Sequence, residues 1–228
     1  MQDTMKYLCE NIQGCVLGYT QSDEITLALI DYKKLDSCAW FDYNIQKCCS
    51  IAASMATMAF NRFFSENASE LFFSEMNKKK KSVLVCDDYL DAIAAAVERG
   101  AMFDCRVFNI PKEEVTNCIL WRQNDATRNS IEMVGHANFS QNQLHKKSCK
   151  EIQEMLFQER GINWNDYPAH YKRGSCCIKK VVERLAPYGV LVDGVPAEKS
   201  EWVVDTNIPV FKGEGRKYID DLIFVGET

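Results

Sequence analysis

Apolar residues recur along this chain with two periods, and the switches between them mark out its elements. Residues 1–11 pattern as a helix. Cys15–Thr20 and Ile25–Ile30 are short β-prone runs joined by the polar link Gln21-Ser22-Asp23-Glu24, which has hairpin length. Ile25, Leu27 and Leu29 alternate with Thr26, Ala28 and Ile30, as in a strand with one or both faces buried. From about Tyr43 to Phe64 the period becomes helical, with Ile45, Cys49, Ala52, Met55, Ala59 and Phe63 in one stripe. Lys47, Ser50, Ser54, Thr57 and Asn61 lie opposite. Spacing alone favours a solvated face there over a cation and hydroxyls directed at a phosphate.

Residues 65–100 read as an insertion, with a lysine run at Lys78–Lys81 and a helix-like stretch from Asp88 to Glu98. Gly100 is placed to end that helix. Ala101–Ile110 then reads as a strand, and Pro111 opens a long helix over about Lys112–Val134. Arg122, Asp125, Asn129 and Glu132 share one face of it. Ser140 is a plausible N-cap for a further helix that Gly161 terminates. Beyond Tyr171 the chain is richer in β-prone residues, with turns expected at Gly189, Gly194 and Gly213–Gly215.

Composition narrows the classes open to such a chain. Its 228 residues are 46% hydrophobic, enough for one sizeable core. No apolar run reaches the roughly 18–20 residues needed to span a bilayer, so no membrane partner is expected. Met1 begins no basic-then-apolar leader, and a cytoplasmic location is expected. The eleven cysteines include the adjacent pairs Cys48–Cys49 and Cys176–Cys177 and show no CxxC metal spacing. They fit small hydrophobes in a reducing compartment better than a disulfide framework. The net charge is −5, yet residues 141–184 hold nine Lys/Arg against five Asp/Glu. That local excess permits an anionic partner.

The order helix, strand, acidic hairpin, strand, helix, strand suggests a palm-like (ferredoxin-like) antiparallel sheet without its first strand. Palm enzymes that transfer nucleotides set carboxylates on adjacent strands around two divalent ions roughly 3.5–4 Å apart. Carboxylates suit Mg²⁺ because it is a hard ion that prefers oxygen. Asp23 and Glu24, leaving a buried strand at a hairpin, fit half of such a site. Alone, an Asp-Glu pair in a turn is more often structural.

Four motifs in order change that weighting. Gly18-Tyr19-Thr20-Gln21-Ser22-Asp23-Glu24-Ile25 is similar to the G-Y-x-Q-S-D-E-x motif of the tRNA-His guanylyltransferase superfamily. Phe103-Asp104-Cys105-Arg106-Val107 resembles its F-D-x-R-V strand, Trp121-Arg122-Gln123-Asn124-Asp125 its W-R-Q-x-D, and Tyr171-Lys172-Arg173-Gly174 its Y-[KR]-[KR]-G. Where the eukaryotic enzymes carry H-I-N-N, this chain reads Thr127-Arg128-Asn129-Ser130. It therefore resembles the bacterial and archaeal guanylyltransferase-like proteins more, which favours template-directed 3′-to-5′ repair of tRNA over untemplated guanosine addition.

The resemblance implies an α+β fold with a palm-like sheet, helices on one face and a C-terminal extension. Residues 1–135 would form the catalytic core, with the insertion at 65–100, and residues 136–228 the extension. It implies two Mg²⁺ ions, GTP or another nucleoside triphosphate as substrate, and ATP to activate a monophosphorylated tRNA 5′ end. Asp23 and Glu24 would bind metal and serve catalysis. Ser22, Asp23, Lys47, Ser50, Arg122, Asp125 and Asn129 would contact nucleotide, and Lys146, Lys150, Lys172 and Arg173 the tRNA. A homotetramer or homodimer is implied as well. The family's first strand carries D-G-[RK], which occurs nowhere in this chain. The chain as written is thus expected to be a catalytic fragment, to receive the missing piece in trans, or to bind RNA without catalysis. A palm-type nucleotide cyclase is a more distant alternative that the W-R-Q and K-R-G motifs oppose.

Overall fold

A computed structural model describes residues 1–34, 36–78, 87–183 and 198–225. Four antiparallel strands form one sheet in the order β2-β1-β3-β4: β1 (Cys15–Gln21), β2 (Glu24–Leu29), β3 (Ser175–Glu183) and β4 (Glu198–Asp205). The helices are α1 (Gln2–Asn11), α2 (Ile45–Lys78), α3 (Asp87–Arg99), α4 (Lys112–Asn138), α5 (Gln141–Leu144), α6 (Cys149–Arg160), α7 (Ala169–Arg173) and α8 (Lys217–Ile223). No helix among the described residues is long and apolar enough to cross a membrane. The described cysteines are free thiols. Lys79–Lys81, Arg184, Gly189 and Gly194, singled out in the sequence, lie outside the described residues.

Helices cover both faces of the sheet, not the single face expected. Alternation along β1 explains this, because successive side chains point to opposite sides. Leu17 and Tyr19 face α4 and α8, in a core with Cys176, Ile119, Ile208, Phe211, Ile219 and Ile223. Gly18 faces α1, where Met5 and Cys9 pack with Cys177. A Cβ at Gly18 would stand 2.5 Å from Cys9 Sγ, so glycine is what lets α1 lie this close to the sheet. α2 backs α1 through Ala56, which packs with Leu8 and Ile12. Residues on both sides of position 135 share one sheet and one core, since β1 pairs with β3 from Leu17↔Ile178 to Thr20↔Ser175.

Other expectations change in ways that local physics explains. Residues 101–110 are not a strand. They alternate between half-buried and exposed as a strand would, from Ala101 to Phe108, but form no ladder among the described residues. They are held against α2 by side chains instead. Asn61 accepts from Ala101 N at 2.7 Å and donates to its carbonyl at 2.9 Å, and Thr57 Oγ1 accepts from Phe103 N at 3.0 Å. Thr57 and Asn61 are thus brackets for the chain, and not part of a purely solvated face. α2 continues past Phe64 to Lys78, through part of the expected insertion. The helix expected from Ser140 to Gly161 is two helices. Ser140 caps only the short α5, Lys146 takes a left-handed φ of 61°, and Ser148 starts α6 in a capping box with Glu151. Gly161 ends α6 at φ 66° as expected.

Candidate functional site

The tip of the β1–β2 hairpin gathers three of the sequence motifs. Gln21 and Glu24 pair across it, leaving Ser22 and Asp23 as a two-residue link. Ser22 sits at φ 49°, a left-handed conformation that costs a residue with a Cβ. Ser22, Asp23 and Glu24 are exposed, whereas Gln21 beside them is buried. The Asp23 carboxylate makes no hydrogen bond or ion pair among the described residues, and the residue is exposed.

Glu24 is bound by its neighbours. Gln21 Nε2 donates to Glu24 Oε2 at 2.9 Å, and Thr20 Oγ1 donates to the Glu24 carbonyl at 2.8 Å. The Arg122 guanidinium on α4 forms an ion pair with the same Oε2. Asp125, one turn on, accepts from Arg128 Nη2 at 2.6 Å and Asn129 Nδ2 at 3.3 Å. Arg122 thus meets the hairpin, while Asp125 is bonded to Arg128 and Asn129 farther along the same helix.

The Y-K-R-G motif reaches β1 at Tyr19, two pairs further in. Tyr19 Oη donates to the Arg173 carbonyl at 2.8 Å. Burial pushes the Tyr19 phenol well above its usual range. Nearby Cys176, Glu24 and Asp125 act in the same direction, and Arg122 opposes them. Gly174 has φ 82°, and a Cβ there would stand 2.5 Å from the Thr20 carbonyl. The motif's glycine thus lets the chain enter β3 directly against β1.

Other predicted residues lie apart from the tip. Lys47 Nζ stands 4.4 Å from the Phe41 ring centroid, and Ser50 Oγ donates to the Lys47 carbonyl at 3.2 Å. No hydrogen bond or ion pair among the described residues joins either to Asp23 or Glu24. Lys146 and Lys150 are exposed around the start of α6. Lys172 Nζ donates to the Asn165 carbonyl at 2.6 Å, and Arg173 Nε to the Ile208 carbonyl at 2.9 Å, so both are already engaged with backbone carbonyls.

Sequence reasoning assigned no role to Gln123 or Gln21. Gln123 is 1% exposed, donates to the Pro209 carbonyl at 2.9 Å and accepts from Phe211 N at 3.0 Å. It fixes the register of α4, and hence of Arg122, against the 208–211 segment. The W-R-Q motif held the signal, because a glutamine adjoining two functional candidates on an otherwise packed helix must find buried partners.

Among the described residues, the carboxylates at the tip do not by themselves make a two-ion cradle. One carboxylate, Asp23, is free, and the other is already neutralised by a guanidinium. Among the described residues no group of three or more His, Cys, Asp or Glu could hold a metal ion.

The chain is similar to known proteins. The model of the tRNAHis guanylyltransferase family matches residues 1–111. A bacterial tRNA(His) guanylyltransferase (Thg1)-like protein solved in complex with ATP is similar at 35% identity and TM-score 0.72, covering 98% of this chain and 77% of that one. A structure of a bacterial protein of the same description in complex with GTP matches at 33% identity and TM-score 0.68, over 97% and 75%. The "Probable tRNA(His) guanylyltransferase" of Dictyostelium discoideum is 26% identical over 187 residues, 77% of this chain and 62% of that protein. The chain spans about three fifths of the length of the curated relatives that match most of it. With its hairpin, its α4 face and its Y-K-R-G turn assembled on one sheet, the chain belongs to the tRNA(His) guanylyltransferase (Thg1)-like nucleotidyltransferase family.

Proposed function

We propose that this protein acts on the 5′ end of tRNA, joining nucleotides in the 3′-to-5′ direction. The observation that carries this reading is the convergence of three motifs far apart in sequence. Glu24 meets Arg122 across 98 positions, and Tyr19 meets Arg173 across 154. Related bacterial proteins have been solved with ATP and with GTP, which supports nucleoside triphosphates as ligands of this fold.

The chemistry is a displacement at phosphorus. The 3′-hydroxyl of an incoming nucleoside triphosphate loses its proton to water as its oxygen bonds to the α-phosphorus of a triphosphorylated tRNA 5′ end, the bond from that phosphorus to the α–β bridging oxygen breaks, and pyrophosphate departs. A monophosphorylated end first needs activation by ATP. Ser22 and Asp23 at the tip face the reacting phosphates, and Lys47 with Ser50 at the start of α2 binds the triphosphate. Lys146 and Lys150 hold the tRNA backbone, a task that needs only well-placed cations. The divalent ions the family resemblance implies find one free carboxylate at the tip, Asp23, among the described residues. Assembly is as a homodimer or homotetramer.

The single free carboxylate favours a second reading, an RNA-binding protein without catalysis. Incubation with a 5′-triphosphorylated tRNA lacking its first residue, all four nucleotides and Mg²⁺ separates the two. An enzyme extends the tRNA, and Asp23→Ala abolishes extension with little loss of tRNA affinity. Binding without extension by the unaltered chain refutes the polymerase reading.

A further inference from the structure

Glu24 stands in a motif whose resemblance assigns it to metal, yet its surroundings are those of a structural carboxylate. One oxygen, Oε2, receives both Gln21 Nε2 from β1 and the Arg122 guanidinium from α4. The guanidinium's positive charge beside this carboxylate opposes the approach of a divalent cation. The hairpin needs such an anchor. β2 pairs only with β1 among the described residues, and its link contains a residue in the left-handed region. β1 pairs with β3 only as far as Thr20, so beyond that point the tip is held by the β1–β2 pairing alone and gains from an anchor outside it. Arg122 is well placed for this because it is partly buried and precedes Gln123, whose buried amide bonds fix that turn of α4.

We propose that Glu24 and Arg122 form a latch that fixes the tip of the acidic hairpin. Arg122 is a positioning residue for Asp23, and Glu24 serves the latch in place of a metal ion. The functional half of this inference rests on the reading that the tip faces nucleotide; the structural half does not.

Exchanging the charges tests it. Glu24→Arg, Arg122→Glu and the double exchange are compared by thermal unfolding and by calorimetric titration with ATP in Mg²⁺ buffer. Each single reversal sets like charges together and lowers the melting temperature by a few degrees, the shift that a modest destabilisation produces in a domain this size. It also weakens ATP binding by about fivefold or more, a usual size for coupled residues. The double exchange recovers at least half of the thermal loss and restores ATP affinity to within about twofold. A metal-binding Glu24 gives another result. Arginine at position 24 cannot ligate a cation, so the double exchange would then bind ATP as weakly as Glu24→Arg, which overturns the proposal. No thermal recovery in the double exchange overturns the latch itself. If the reversals do not fold, Glu24→Gln and Arg122→Gln make the same cycle, where non-additive losses support the latch and additive losses refute it. If the unaltered protein binds no ATP, the nucleotide reading fails and the thermal cycle alone judges the latch.

Discussion

Tyr19 is a single residue with two jobs, and each leaves a separate trace. Its ring fills the core against Phe211, with centroids 6.3 Å apart, and its hydroxyl satisfies the Arg173 carbonyl. Replacement by phenylalanine keeps the ring and strands that carbonyl, an expected loss of about 1–2 kcal/mol in urea unfolding. The two also differ with pH. Burial raises the folded phenol's pKa, while an unfolded tyrosine loses its proton near pH ~10. Above that pH the unfolded chain sheds a proton that the folded one keeps, so stability is full below it and falls as pH rises further. Tyr19→Phe removes part of that alkaline slope. Tyr218 and the Cys105 and Cys176 thiols, also raised chiefly by burial, contribute to the slope that remains. Identical slopes for the two proteins between neutral and alkaline pH would refute the assignment.

At the scale of elements, α2 and the 101–110 segment show why a correct pattern does not guarantee a correct element. The alternation of Ala101, Phe103, Cys105 and Val107 with exposed neighbours is real. A strand is nonetheless defined by its ladder, and local alternation cannot say whether a partner edge lies alongside. Here side chains take over the ladder's task. Asn61→Ala removes both bonds to Ala101 and leaves that peptide without partners, with an expected cost of about 1–3 kcal/mol. Faster amide hydrogen exchange at Ala101 and Phe103 than at Leu17 or Tyr19 would accompany it. Unchanged exchange at Ala101 would mean that the bracket does not hold the segment. The hairpin and the two long helices were legible because each is a local pattern with its own punctuation. That Thr57 and Asn61 serve as brackets was not legible, since polar spacing on a helix is the same whether it meets water or a neighbouring backbone. That Glu24 meets Arg122 was not legible for a similar reason, since the motif names the residue and only the fold brings Arg122, 98 positions away, to it.

Across the whole molecule, the sheet turns sequence distance into proximity and sorts the cations by what they are free to do. β3 enters beside β1, so the Y-K-R-G turn is drawn to the base of the hairpin, and its lysine and arginine become occupied with Asn165 and Ile208 carbonyls. Lys147 is engaged too, 3.7 Å from Glu151. Lys146 and Lys150 remain exposed on a chain with net charge −5, and neither makes an ion pair or hydrogen bond among the described residues. An acidic protein that grips a polyanion must do so through such uncommitted cations, because others would first have to surrender an internal partner. Replacing both Lys146 and Lys150 with alanine is therefore expected to weaken binding of a 5′-truncated tRNA and to reduce the slope of log affinity against log salt by about two, one for each phosphate no longer neutralised. Melting temperature should hardly move, because surface substitutions of this kind cost little. Arg173→Ala should do the reverse, lowering the melting temperature through the missing bond to Ile208 while leaving the salt slope in place. A salt slope that responds to Arg173 and ignores the two lysines would move the tRNA-binding face from the start of α6 to the Y-K-R-G turn.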